Sequence, residues 1–219
     1  MAVLADGEGP AYKLTAARYD FSDHSVGWDL NLRRRSEMGN AWIGYFGLAE
    51  QNFTQWRTGW DNSYGTDVRV SPSVQLASGG FVGGSLQFET GDPWFAGAGF
   101  GRTNLRPYWN LNFDPNDSYM LSAGRRIDDQ VLMVQLVHDN RQNPDQRHLH
   151  FYWRQPLADG DRLTLDLLYK SGTVEGEYIR RWGLSTTYDW PRFFVRAAWD
   201  PKTNFTPVDL FRLSVGTRF

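Results

Sequence analysis

The final stretch of the chain alternates between apolar and polar side chains, and this alternation is the strongest constraint on the fold. The apolar positions are Phe211, Leu213, Val215 and Phe219, and the positions between them include Arg212, Ser214, Gly216 and Arg218. A period of two residues is that of a β-strand, in which successive side chains point to opposite faces. The segment therefore predicts a strand with one apolar face that ends in an aromatic residue.

The same period recurs from Pro10 onward, in short segments separated by turn residues. A clear example is 26–33, where Trp28, Leu30 and Leu32 share one face. The segment 41–48 is a further predicted strand, with Trp42, Phe46 and Leu48 on its apolar face. No helical period of useful length appears, and no run of about 18 apolar residues exists that would form a transmembrane helix. The chain is therefore predicted to be all-β.

The aromatic content is high for so polar a chain. Aromatic residues make up 16% of the sequence while the mean hydropathy is -0.54. A transmembrane β-barrel reconciles the two values, because only alternate residues of each strand meet lipid. Its aromatic residues are concentrated in girdles at the two membrane–water interfaces.

The closing strand resembles the last strand of Gram-negative outer-membrane β-barrels of the porin-like, channel-forming kind. In that family, a final strand of alternating apolar residues ending in Phe is recognised by the barrel-assembly machinery. The resemblance implies that Phe211, Leu213, Val215 and Phe219 form the assembly signal. It also implies a place in the bacterial outer membrane, in contact with its lipids and lipopolysaccharide.

The spacing of strands and turns predicts one domain over residues 1–219, a single up-and-down antiparallel transmembrane β-barrel. We expect fourteen strands, with twelve to sixteen as the range, because bacterial barrels have an even number. This count treats 50–65 as a long external loop and 105–113 as a strand, and it places both termini in the periplasm. Tight turns alternate with longer loops, including 171–177, as expected for periplasmic turns and external loops. We interpret Met1–Gly7 as a mature terminus behind an added initiator Met.

If the apolar face meets lipid, the polar face lines the lumen. The candidate pore-lining residues are Arg69, Arg106, Arg154, Lys170, Arg181, Arg196, Arg212, Asp29, Glu89 and Asp166. A lining with more guanidinium than carboxylate favours anions, because rings of Arg and Lys select them. The alternative is that these charges pair across strands and fill a narrow interior.

The predicted function is an outer-membrane channel for passive diffusion of small polar, anionic solutes through an Arg-rich lumen. The alternatives are a polymer export port or scaffold, a lipid-modifying barrel enzyme, and a soluble β-barrel. Lipid-modifying barrels use a Ser–His pair on the outward rim. Here His138 stands beside Asp139, but no motif singles out a serine, so we predict no enzyme and no catalytic residue.

Other chemistry finds little support in the sequence. There is no cysteine, so disulfides and thiolate metal sites are excluded. A net charge of -2 does not favour a nucleic-acid partner. His148 and His150 share one strand face, but no third ligand stands near them, so we interpret them as structural and predict neither a metal nor a cofactor.

Overall fold

The computed structural model describes residues 10–104, 106–108, 118–139, 145–174 and 176–219. The strands in these ranges are β1 (Tyr12–Phe21), β2 (Val26–Ser36), β3 (Gly39–Leu48), β4 (Phe53–Asp61), β5 (Val68–Ala77), β6 (Phe81–Thr90), β7 (Trp94–Thr103), β8 (Tyr119–Ile127), β9 (Gln130–Asp139), β10 (Gln146–Pro156), β11 (Arg162–Val174), β12 (Glu177–Asp189), β13 (Phe193–Asp200) and β14 (Leu210–Arg218). Two short 3-10 helices, Ala158–Gly160 and Thr203–Phe205, lie in the connections. No helix in the described ranges is long and apolar enough to cross a membrane.

The fourteen strands form one closed antiparallel barrel. Each strand pairs with its neighbour in the chain, and β1 pairs with β14, so the sheet has no free edge. Closure runs from Lys13 opposite Arg218 to Phe21 opposite Leu210. At the termini, Tyr12 N donates to Phe219 O at 2.8 Å and Phe219 N donates to Tyr12 O at 3.0 Å. The predicted all-β, fourteen-stranded, up-and-down barrel is confirmed.

Both ends of the barrel sheet lie at the same rim, because the number of strands is even. The connections at this rim include the tight turns after β2 and β8, whereas the opposite rim carries the longer connections after β7 and β13. Periplasmic turns are short and external loops are longer in outer-membrane barrels. We therefore assign the rim with the β1 start and the β14 end to the periplasm. The predicted terminus Met1–Gly7 lies outside the described residues.

The two faces of the wall differ in chemistry as predicted. The outer face carries exposed apolar side chains on every part of the barrel, among them Trp28, Leu121 and Val195. On β14, Phe211, Leu213 and Val215 point outward and are exposed. The polar residues between them are buried inside the barrel. An apolar exterior with a polar interior is the arrangement of a barrel that sits in lipid.

Two predicted segments require revision. The prediction of a loop at 50–65 is wrong, because β4 pairs with β3 along its whole length and with β5 at one end. The outward face of β4 carries Thr54 and Thr58 beside Trp56, so apolar alternation is weak although the pairing with β3 is complete. The segment 105–113 falls mostly outside the described residues, and its described part, 106–108, is not in a strand.

Two further expectations are wrong in detail. Phe46 and Leu48 point into the barrel together with Trp42, while Ala41, Ile43 and Tyr45 form the outer face of β3. The predicted loop at 171–177 is replaced by longer strands, because β11 and β12 remain paired up to Val174 opposite Glu177. The β11–β12 hairpin thus has the longest strands of the barrel.

Candidate functional site

The periplasmic half of the lumen contains carboxylates bridged by arginines. Glu89 Oε1 accepts hydrogen bonds from Arg69 Nη1 at 2.8 Å and from Arg126 Nη2 at 2.6 Å. Arg33 Nη1 donates to Asp61 Oδ1 at 3.0 Å. Each of these contacts joins side chains from different strands, so the pairing is a product of barrel closure. The arginines thereby neutralise the negative charges of Glu89 and Asp61 at the barrel wall.

Two more predicted acidic residues also face cationic or ionisable partners. Asp29 forms an ion pair with Arg57, and both side chains are almost fully buried. Asp166 lies 2.9 Å from His150 Nδ1 through its Oδ1 atom. The sequence analysis missed Arg57, because it stands on β4, which was assigned to a loop. The sequence signal that indicates an inward-facing arginine here is the alternation of Gln55, Arg57 and Gly59, which share the inner face of β4.

Lys170 is the most enclosed of the predicted charges. Its side chain has 0% relative exposure and forms an ion pair with Asp200. Its Nζ also donates to the carbonyl oxygen of Lys202 at 3.1 Å. Lys202 belongs to the connection 201–209 between β13 and β14, which we call the last external loop. Lys170 therefore ties that loop to the inner wall of β11.

The last external loop reaches into the extracellular end of the lumen. Phe205 is buried, and its ring stacks on His148 with the centroids 5.3 Å apart. Val208 packs against a buried cluster inside the barrel. The members of that cluster are Ala17, Tyr19, Phe21, Phe46, Leu48 and Leu210. The extracellular half of the lumen is consequently packed, and its inner side chains are less exposed than those of the periplasmic half.

The first external turn lies at the same rim. Asp23 Oδ1 accepts hydrogen bonds from the backbone N and the Oγ of Ser25, at 3.0 Å and 2.7 Å. These two bonds stabilise the carboxylate and lower the pKa of Asp23. The turn therefore keeps a negative charge at the mouth at physiological pH.

Three inward-facing cations contact neutral groups. Arg196 Nε donates to Thr187 Oγ1 at 2.9 Å, and Arg154 donates to the hydroxyl of Tyr152. Lys13 Nζ lies 4.4 Å from the centroid of the Phe194 ring. None of the three forms an ion pair with a carboxylate of the residues that the structure describes. We call Lys13, Arg154 and Arg196 the lumen cations.

The lumen cations are related by strand register. Arg154 lies opposite Thr164 on β11, Thr164 lies opposite Thr187 on β12, and Thr187 lies opposite Arg196 on β13. Two guanidinium groups thus flank two threonine hydroxyls in one row across four strands. Lys13 belongs to β1, on the other side of β14. This part of the wall offers positive charge and hydroxyl groups to the lumen.

The remaining predicted residues lie in different surroundings. Arg212 is buried on the inner face of β14, with its guanidinium 5.8 Å from the Tyr19 ring centroid. Arg181 is exposed near the extracellular end of β12, and its Nη1 donates to the carbonyl oxygen of Arg180 at 2.7 Å. Arg106 is exposed and lies outside the strands, so the barrel wall does not hold it in place.

The histidines do not assemble a reactive site. No group of three or more metal-ligating side chains occurs among the residues described. His148 and His150 face the lumen, where His148 stacks on Phe205 and His150 contacts Asp166. His138 and Asp139 are consecutive on β9 and therefore point to opposite faces of the wall.

A closed fourteen-stranded barrel with an apolar exterior and a charged, polar lumen defines a transmembrane β-barrel of the porin-like, outer-membrane class. A sheet satisfies its backbone hydrogen bonds in lipid only when it is closed. This even-stranded antiparallel barrel is closed and presents its apolar face outward, as barrels of the bacterial outer membrane do, which places the chain in that membrane.

Solved structures show the same fold. The chain is similar to the crystal structure of the Acinetobacter baumannii outer membrane protein Omp33, with a TM-score of 0.62, 11% identity, and coverage of 96% of this chain and 98% of that chain. It is also similar to the NanC porin, with a TM-score of 0.50, 10% identity, and coverage of 94% and 100% of the two chains. At such identities the likeness shows the fold. No family model and no curated protein matches the sequence.

Proposed function

We propose that the barrel is an outer-membrane channel for the passive diffusion of small polar, anionic solutes. The observation that carries the proposal is the set of lumen cations, whose contacts are hydroxyls and an aromatic ring. A charge beside a neutral group keeps its field, whereas a charge paired with a carboxylate is largely cancelled at a distance. An anion in the lumen would therefore meet a net attraction from this wall.

The preference for small solutes follows from the extracellular half of the lumen. Phe205 and the buried cluster lie on the inner side of the wall there and are packed out of contact with water. Lys170 holds the last external loop in place through Asp200 and the Lys202 carbonyl. We propose that this loop forms the narrowest part of the pathway and limits the size of what passes.

A channel rather than an enzyme also fits the similar structures, which are an outer membrane protein and a porin. We further propose that outer-membrane lipids and lipopolysaccharide surround the barrel, and that the barrel-assembly machinery recognises the closing strand. Recognition of this strand from the membrane side is supported by its outward and exposed side chains, which are Phe211, Leu213, Val215 and Phe219.

The test is reconstitution of the purified barrel in a planar bilayer under a salt gradient. We expect discrete conductance steps and a reversal potential on the anion-selective side. A barrel that inserts but conducts no ions would contradict the channel. A barrel that conducts with a preference for cations would contradict the proposed role of the lumen cations and leave the pore itself established.

A further inference from the structure

The outer face of the β10–β12 wall carries a row of polar residues near the extracellular rim. Arg147 on β10 lies opposite Ser171 on β11, and Ser171 lies opposite Arg180 on β12. All three belong to the outward set of their strands, because the residues two positions away include the outward-facing Leu149, Tyr169 and Trp182. Ser171 is buried between its neighbours, so the two arginines are the exposed members of the row. We call Arg147, Ser171 and Arg180 the outer arginine row.

The depth of this row follows from the aromatic residues just below it. Tyr169 and Trp182 are in contact, with ring centroids 4.9 Å apart, and Phe151 stacks on Trp182 at 6.5 Å. Exposed aromatic residues of this kind mark the membrane–water interface of a barrel. The outer arginine row is two residues further along the strands, roughly 7 Å, which at a strand tilt of about 40° brings it roughly 5 Å closer to the outside. At that level the arginines meet lipid headgroups rather than acyl chains.

The two guanidinium groups are available to a ligand. Arg147 has a side-chain exposure of 56%, and its carboxylate neighbour Asp145 lies 3.9 Å away with an exposure of 66%. An ion pair so long and so exposed contributes little, and a better acceptor would displace it. The Arg180 guanidinium lies 4.9 Å from the centroid of the exposed Tyr178 ring, which limits its movement. Arg147 and Arg180 are separated by two strand spacings, about 10 Å at the backbone.

This geometry suits a phosphate group. Arginine binds phosphate through parallel N–H donors, and two side chains from positions about 10 Å apart converge readily on one group or contact two adjacent ones. A neutral or cationic headgroup would gain nothing from such a cluster.

We propose that the outer arginine row is a binding site for the phosphate groups of a phosphorylated outer-leaflet lipid, the lipid A part of lipopolysaccharide. The charge of the row, its outward direction and its position above the aromatic residues all favour a lipid over a solute in the lumen. The inference rests on the contact with lipopolysaccharide proposed above and does not depend on the barrel being a channel.

The barrel supplies a matched control at the opposite interface. Arg125 also points outward and lies 5.1 Å from the ring centroid of the exposed Trp94, but at the periplasmic end. Arg192 is exposed in the periplasmic connection between β12 and β13. Arg125→Gln with Arg192→Gln therefore removes the same charge as Arg147→Gln with Arg180→Gln, without touching the row.

The experiment measures binding of diphosphorylated lipid A to the purified barrel in non-ionic detergent by native mass spectrometry. Loss of Arg147 and Arg180 should weaken binding roughly thirtyfold, from the usual contribution of an arginine at an anionic lipid surface. The Arg125 and Arg192 variant should bind like the wild type. Lipid A stripped of its phosphates should bind the wild type as weakly as diphosphorylated lipid A binds the row variant.

Three results would overturn the proposal. Equal binding by both double variants would show that the row is not the site. Undiminished binding of dephosphorylated lipid A would show that phosphate is not recognised. Displacement of lipid A by low concentrations of inorganic phosphate would identify a site for a free anion instead. Conductance of the row variant is recorded alongside, because unchanged conductance with lost lipid binding separates this proposal from the channel.

Discussion

Replacing both Arg154 and Arg196 by glutamine tests whether the lumen cations set ion selectivity. The two arginines stand at the ends of one cross-strand row and contact the hydroxyls of Tyr152 and Thr187. Glutamine retains polar hydrogen-bonding atoms near those hydroxyls while it removes the charge. The barrel wall should therefore stay intact and only the field in the lumen should change.

The size of the effect can be worked out from the dimensions of the barrel. Fourteen strands about 4.8 Å apart and tilted by about 40° give a wall radius of about 14 Å, so an arginine that reaches halfway places its charge roughly 7 Å from the axis. At 0.1 M salt, each such charge stabilises an anion on the axis by about 0.3 kcal/mol. The three lumen cations together give about 0.9 kcal/mol, which is about a fourfold rise in local anion concentration.

The double variant leaves Lys13 alone, and the enrichment should fall to about 1.6-fold at 0.1 M salt. At 1 M salt the Debye length is about 3 Å, so even the wild type should show only about 1.3-fold enrichment. The measurement is the reversal potential in planar bilayers at low and high salt, for the wild type and the double variant. The Arg125→Gln, Arg192→Gln variant serves as the control, because its lost charges lie outside the lumen. Equal reversal potentials for the wild type and the Arg154, Arg196 variant at low salt would refute the reasoning.

One deletion and three substitutions test other parts of the structure. Deleting Phe219 should reduce the heat-modifiable, membrane-inserted form in cells, and normal insertion would contradict its role as an assembly signal. Leu165→Arg, on the lipid face, should destabilise the barrel by about 2–4 kcal/mol in a folding titration in lipid, whereas Thr164→Arg on the lumen face should be tolerated; equal damage would contradict the sidedness. Phe205→Ala should raise single-channel conductance, because it removes a ring that is buried in the extracellular half of the lumen, and an unchanged conductance would show that this loop is not the constriction.

The wall could be predicted from sequence wherever one strand face is uniformly apolar. In β2, Trp28, Leu30 and Leu32 all point outward, and Asp29 points inward, as the alternation indicates. In lipid every such strand must present its apolar residues on the outer side of the barrel. The alternation on one strand therefore supports the assignment of faces on the next strand. The outward set of β14 was predictable for the same reason.

The partners of the charged residues could not be predicted, because they depend on strand register. Asp29 pairs with Arg57 across the intervening strand β3, and Lys170 on β11 pairs with Asp200 on β13. A shift of one residue in either pairing would send one partner to the lipid face. The sequence could therefore identify an excess of inward cations, but it could not distinguish those beside carboxylates from those, like Arg196, beside hydroxyls.

Aromatic residues on the inward face of the wall have a physical role that the structure makes visible. A glycine in the wall exposes its backbone to the lumen, and an aromatic ring on the neighbouring strand covers it. Phe95 lies opposite Gly124, where an added Cβ would come within 2.5 Å of the ring. Phe194 covers Gly216 in the same way, at 2.2 Å from an added Cβ.

These rings also hold cations at the wall. Lys13 lies 4.4 Å from the centroid of the Phe194 ring, and Arg126, which also pairs with Glu89, lies 3.9 Å from that of Phe95. Of these two cations, Lys13 is the one that the ring holds without a carboxylate partner among the described residues. A cation over an aromatic face is stabilised without being neutralised, because the ring carries no net charge. An inward aromatic ring beside a glycine can thus position a charge that still acts on an ion in the lumen. A rule that places every aromatic residue of a barrel on the membrane face overlooks such residues, although they shape the electric field of the pore.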